Sequence, residues 1–237
     1  AIEAADAFGD PGAQCREKLL AFGRELETTP LVELGHPVAN HLRGTRLDAQ
    51  RFADAGVVVE EAAPDLSEAH DCFHVLRALD YAVSKAKLLR EHRDLLKPEV
   101  VWNIEQGLKL TLADLERAEA QRVTLAARAL AFFETYDLLL CPTTIVAPFP
   151  VEQRYLESCD GTTFDNYVGW LAIVSAITIA CCPAISIPCG FTRENLPVGL
   201  QIVAPSRGEA RALAGARLLD DILGLRDITP IDPRAGA

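Results

Sequence analysis

The sequence predicts an α/β fold, a mixed β-sheet flanked by helices, on three observations. Short apolar or β-branched runs alternate with amphipathic stretches along the chain. The run Leu138–Cys141 is continuously apolar and ends at Pro142, which suits a strand buried on both faces. The stretch from Asn166 to Thr192 carries no charge, yet Pro183 and Pro188 interrupt it. It reads as a buried helix followed by a buried strand rather than a membrane span.

Each element follows in order. Residues 1–45 are punctuated by Asp10-Pro11-Gly12, Thr28-Thr29-Pro30 and Gly35-His36-Pro37, and form a segment that is hard to assign. Within it, Cys15, Leu19, Phe22 and Leu26 recur at helical spacing and predict a short helix. Residues 46–56 predict a helix closed by Gly56, followed by a strand at 57–59. Asp65 and Ser67 are cap candidates for a helix whose Cys72, Leu76, Leu79 and Val83 share one face. A long helix is expected from Pro98 to Thr135, with Ile104, Leu108, Leu112, Leu115, Arg122, Leu125 and Phe132 on one stripe. Phe164–Ala180 predicts an apolar, central helix. Strands follow at 184–188 and 197–204, joined by a turn at 192–195. The last helix runs from Arg207 to Leu223, with Leu213, Ala216, Leu219 and Leu223 inward and Gly224 closing it. No repeat or long linker divides residues 46–237, which read as one unit.

Composition sets bounds on function. The chain has 237 residues, 49% hydrophobic and 24% charged, enough to bury a large core. Its net charge of −11 leaves no electrostatic footprint for nucleic acid or an anionic membrane. Seven cysteines, an odd number without a C-x-x-C pair, read as reduced thiols and predict a cytoplasmic location. The first ten residues lack the basic and apolar regions of a signal peptide. Neither a Walker A loop nor G-x-G-x-x-G occurs, so no nucleotide cofactor is expected.

The candidate reactive groups are few. The six serines (67, 84, 158, 175, 186 and 206) include none after a glycine and none in G-x-S-x-G, so each reads as a cap, turn or core hydroxyl. His70 and His74 stand at the i, i+4 spacing of a metal site, but no third ligand is evident. Cys72 between them is a candidate thiolate, yet neighbouring helix positions point apart. This cluster reads as an ordinary helix face, and no metal is expected. Cys181 and Cys182 close the most apolar helix and read as core thiols.

The succession YDLLLCPTTIVAPFP (136–150), an apolar helix, CCPAISIPCGF (181–191) and LPVGLQIVAPSRGEARAL (196–213) resembles the C-terminal half of the amidase-signature family. EEAAPDL at 60–66 and LKPEVVWNIEQG at 96–107 fit the same family. The resemblance covers about residues 46–234 and extends to the A subunits of the glutamyl-tRNA(Gln) amidotransferases. Cys182 and Asn195 stand where the family has glycine. The resemblance implies a partial amidase fold and hydrolysis of carboxylic amides to acid plus ammonia or amine. It also implies catalysis by a Ser–cis-Ser–Lys relay set in a G-G-S-S-x-G-S segment, which these 237 residues do not contain. No catalytic residue is therefore assigned, and the chain is expected to be inactive alone. The alternative is a non-catalytic remnant or interaction module of the same fold. The resemblance places Thr143, Trp170, Val174 and Thr178 as substrate contacts. Leu171, where the amidotransferase proteins look acidic, points to an apolar or aromatic amide. With part of the sheet absent, 138–141 or 184–188 would leave an open edge through which copies associate.

Overall fold

The computed structural model describes residues 18–21, 51–60, 62–146, 148–159, 162–192 and 196–225. Among these residues the main sheet has five strands: β1 (Lys18–Ala21), β2 (Val58–Glu60), β3 (Leu138–Pro142), β6 (Ala184–Phe191) and β7 (Pro197–Val203). A separate two-stranded ribbon joins β4 (Ser158–Cys159) to β5 (Thr162–Thr163). The main order is β2-β1-β3-β7-β6. β1 runs parallel to both β2 and β3, and β7 runs antiparallel to both β3 and β6. The sheet is mixed, as the sequence predicts. The longer helices among the described residues are α1 (Ala69–His92), α2 (Pro98–Gly107), α3 (Leu112–Phe132), α4 (Ala172–Ile179) and α5 (Glu209–Leu223).

β3 is buried along its whole length, and its side chains alternate between two cores. Leu138 and Leu140 join Phe52, Leu200, Ile202, Ala212, Ala216 and Leu219 on the α5 side. Leu139 and Cys141 join Phe133, Ile177 and Val203 on the side of α3 and α4. The sheet is therefore covered on both faces. Beyond the second core, α1, α3 and α4 meet through Ala69, Cys72, Val75, Ala118, Leu125 and Ile179.

Several boundaries agree with the sequence and several do not. Gly56 ends its helix at φ +88° with the two reverse hydrogen bonds of a Schellman cap: Gly56 N–H to Ala53 O at 3.0 Å and Val57 N–H to Phe52 O at 3.0 Å. The helix expected around Cys15–Leu26 is instead strand β1 at Lys18–Ala21, and the rest of 1–45 lies outside the described residues. Pairing with β2 and β3 outweighs a helical spacing carried by only four apolar residues. The single long helix is two helices. Thr111 and Asp114 cap each other at the start of α3, a box spelled by the sequence itself. Breaking the helix there leaves Leu108 and Leu112 exposed rather than on a continuous inner stripe.

The inner faces are also rotated. On α1 the buried residues are Ala69, Cys72, Val75 and Ala78, while Val83 is 78% exposed. On α5 they are Ala212, Gly215, Ala216, Leu219 and Leu223, while Leu213 is 61% exposed. In both cases small residues face inward, because the elements approach closely. A Cβ on Gly215 would lie 2.3 Å from Leu138 Cδ1, and one on Gly107 would lie 1.9 Å from the Ala78 carbonyl oxygen.

The open-edge expectation divides. β3 is paired on both sides, so 138–141 is interior. β6 pairs only with β7 among the described residues, and its register slips between Pro188 and Gly190. A proline and a bulge both blunt an edge. The β6–β7 connection is closed by Thr192, whose N–H donates to Leu196 O at 2.8 Å and whose hydroxyl accepts from Leu196 N–H at 3.2 Å. The three residues between, where the turn is expected, lie outside the described residues.

Two glycines separate steric from conformational cost. Gly107→Ala meets backbone that has no room to move and should lose about 3 kcal/mol. Gly224→Ala meets no neighbour but must hold φ +67°, and should lose about 1 kcal/mol. Urea titration reads both; equal losses would contradict this account of the α1–α2 crossing.

Candidate functional site

The residues proposed from sequence fall into three places. Thr143 follows β3 and is fixed there: its N–H donates to Gly199 O at 3.1 Å, and its hydroxyl shares a 2.7 Å hydrogen bond with Ser186 on β6. Gly199 passes beneath this pair, and a Cβ there would lie 2.7 Å from Thr143 Oγ1. A side chain at 199 would break the contact, so glycine is required by close approach.

Val174 and Thr178 lie together on α4, one turn apart. The Thr178 hydroxyl donates to the Val174 carbonyl at 2.9 Å. The opposite face of α4 holds the buried Ala172, Ser175 and Ile179; Val174 is half-buried and Thr178 exposed. The helix expected over Phe164–Ala180 is thus shorter and less central. It starts at Ala172 after a 3₁₀ turn at Gly169–Leu171, where glycine lets the backbone pass close to the Phe164 ring. Trp170 sits on that turn, packed with Ile145, Cys159 and Phe164 and edge-on to Phe149, with ring centroids 5.8 Å apart. Its indole Nε1 is buried without a partner. Thr143 is held by the sheet rather than by this helix, through Ser186 and Gly199.

The segment entering α4 is anchored by a network the sequence does not reveal. The Tyr167 hydroxyl accepts from Arg77 Nη2 at 2.9 Å and from the amide of Asn103, a residue only 2% exposed. Arg77 also donates to the Tyr81 hydroxyl and lies over the rings of Phe73, Tyr81 and Tyr167. Tyr167 in turn stands edge-on to Trp102 and Tyr155. α1, α2 and the approach to α4 are joined at one phenol.

His70 and His74 also meet here, Nε2 to Nε2 at 3.1 Å, with His74 edge-on to Trp102. Among the described residues no third His, Cys, Asp or Glu completes a metal site with them. Burial, then the neighbouring His70, pushes the His74 imidazole down to about 4. Burial lowers His70 as well, against the opposing pull of Asp71 and Asp165. The pair is neutral at ordinary pH, with one ring donating to the other.

The thiols sort differently from one another. Cys72 is buried and donates to Ala118 O at 3.2 Å, and burial raises its pKa, the opposite of an activated nucleophile. Cys141 accepts from the Gln201 amide at 3.1 Å, and burial pushes it up to about 12. Cys182 packs against the core that contains Cys141, but Cys181 is exposed, which corrects its reading as a core thiol.

Serine placement bears on catalysis. Ser175 donates to Ala172 O at 3.0 Å and Ser84 to Asp80 O at 2.6 Å, both turned back on their own helices. Lys85 donates to the Ser84 hydroxyl at 2.9 Å, but it also lies 3.8 Å from Asp80 and over the Tyr81 ring. That is a surface contact around a cation rather than a base poised beside a nucleophile.

The histidine pair has a pH signature. A buried histidine near 4 takes up its proton mainly in the unfolded chain, whose ordinary value is about 6.5. Stability is therefore full above about pH 6.5 and declines as pH falls toward 4. The lowered carboxyls of Asp65 and Asp114 act further down, below their ordinary 3.8. His74→Gln should flatten the decline between pH 6.5 and 4 in denaturant titrations. An unchanged slope would show that the pair does not carry it.

Comparison with known proteins follows this geometry. A model of the Amidase family matches residues 10–213. The chain is 28% identical over 214 residues to an acylamidase of Rhodococcus erythropolis, covering 89% of this chain and 44% of that one. It is 39% identical over 93 residues to a glutamyl-tRNA(Gln) amidotransferase protein of Alkaliphilus metalliredigens, covering 39% of this chain and 18% of that one. Among solved structures, a bacterial aryl acylamidase of the amidase signature family superposes with a TM-score of 0.73 at 17% identity, over 92% of this chain and 47% of the other. The chain spans less than half the length of these relatives. No helix among the described residues is long and apolar enough to cross a membrane.

Proposed function

Because this chain belongs to the amidase family, we propose that it supplies the acyl-side wall of an enzyme hydrolysing carboxylic amides to acid plus ammonia or amine. The observation that carries this reading is the half-open face of α4. The buried side of α4 is fully used in packing, whereas Val174 and Thr178 stand free of the core one turn apart. Trp170 at the head of the helix would close one end of the pocket, and Leu171 beside it favours an apolar or aromatic acyl group. Thr143, held rigidly by Ser186, would present a fixed hydroxyl at the sheet end. The Tyr167 network keeps the entry to α4 in place, so the wall is preorganised. Sequence composition supports a cytoplasmic location.

Attack on the amide carbonyl needs an activated nucleophile and donors for the oxyanion. No serine in these 237 residues lies in a Gly/Ser-rich segment. The chain by itself is therefore proposed to bind rather than turn over, and a non-catalytic module of the same fold is the second reading, favoured by that same serine pattern. A fluorophosphonate probe should leave the protein unlabelled; stoichiometric labelling of any serine would overturn its inactivity alone.

The pocket wall is tested by binding. Benzamide should shift the emission of Trp170, read in a Trp102→Phe background, and Val174→Lys should abolish the shift. An unchanged spectrum at saturating amide would remove α4 from the site.

A further inference from the structure

Helix α4 is followed by Ala180 and then by two adjacent cysteines. Cys181 takes φ +59°, the left-handed conformation in which glycine or asparagine normally closes a helix. It is exposed, so core packing does not account for a cysteine there. Cys182 is half-buried against the core of Phe133, Leu139, Cys141, Ile177 and Val203. Both thiols fold back over the same helix end: Cys181 Sγ donates to Ile179 O and Cys182 Sγ to Ala180 O, each at 3.5 Å. Two successive carbonyls thus accept from the two adjacent thiols at one helix end. Burial, and then the charge of the neighbouring Cys181, pushes the Cys182 thiol up to about 11.

We propose that Cys181 and Cys182 are a reversible oxidation site, closing to a vicinal disulfide by exchange with small-molecule disulfides. The exposed Cys181 attacks first, forming a mixed disulfide and releasing one small thiol. Cys182 then attacks the Cys181 sulfur and releases the second. Overall, two protein thiols lose two electrons and two protons, and one small disulfide becomes two small thiols. The Cα atoms of adjacent residues are about 3.8 Å apart, short of the roughly 4.4–6.8 Å usual for disulfides, so the bond is strained and readily reduced. Closing the ring draws Cys182 off its core and resets the backbone between α4 and β6. Just beyond it, Pro183 O accepts from Ala204 N–H at 3.0 Å and pins the start of β6. The inference stands apart from the amide reading, because the exchange needs no substrate.

The experiment treats the protein with hydroxyethyl disulfide and follows intact mass and peptide maps. The expected result is loss of two hydrogens with no adduct, a bond confined to the peptide containing 181–182, and reversal by dithiothreitol. Cys182→Ser should stop at a mixed disulfide on Cys181, and Cys181→Ser should leave position 182 unmodified. A stable adduct on the wild type overturns the proposal. So does a bond from Cys181 to another cysteine, modification of Cys182 in Cys181→Ser, or no reaction in either the wild type or Cys182→Ser.

Discussion

The structure depends on one buried strand. β3 has neighbours on both edges and a hydrophobic core on each face, so every side chain from Leu138 to Pro142 is removed from water. The alternation along the strand assigns Leu138 and Leu140 to one core and Leu139 and Cys141 to the other. That single register decides which helices lie on which side. α5 approaches through Gly215, close enough to touch Leu138, and Arg211 reaches Asp137 at 3.5 Å just ahead of the strand. On the other face α4 contributes Ile177, and through it the half-open surface of Val174 and Thr178 is placed relative to the sheet.

The second constraint is polar. The half-buried Tyr167 ring packs edge-on to Trp102 and Tyr155, and its hydroxyl is the meeting point of Arg77 and Asn103 from two helices. A buried amide such as Asn103 is costly unless satisfied, so the phenol and the amide stabilise each other's position. The 3₁₀ turn and the start of α4 follow from where this phenol is fixed. The apolar strand fixes the far end of the helix and the phenol fixes its approach.

Much of this is legible in the residues, and the exceptions have physical causes. The strands at β3, β6 and β7, the left-handed closures at Gly56 and Gly224, and the family resemblance all rest on local signals: continuous apolar runs, turn residues and short motifs. Helix faces depart from the sequence pattern where Leu213 and Val83 outrank Ala212 and Ala78. Hydrophobicity ranks leucine and valine inward, but close approach at Gly215 and Gly107 admits only small side chains. The break between α2 and α3 is written at Thr111–Asp114, yet an unbroken apolar stripe obscures it. The Tyr167 network is beyond reach of the sequence, because its partners lie 90 and 64 residues away and each alone is an ordinary polar residue. Of the proposed contacts, helical spacing pairs Val174 with Thr178, whereas Thr143 finds its partner across the sheet in Ser186, which spacing cannot foresee.

The strand order of the sheet also has a consequence in time. The central strand β3 sits between β1, near one end of the sequence, and β7, near the other. Contacts this distant in sequence form slowly, because a long loop must close before they contribute. Helices α1 to α3 lie between β2 and β3 and can pack on one another from local contacts alone. A ribosome delivering this chain therefore releases a helical cluster well before β7 exists to cover Leu139 and Leu140. β3 thus emerges with β1 already made for one edge and β7 still to come for the other, and during that wait its continuous apolar run is open to other chains.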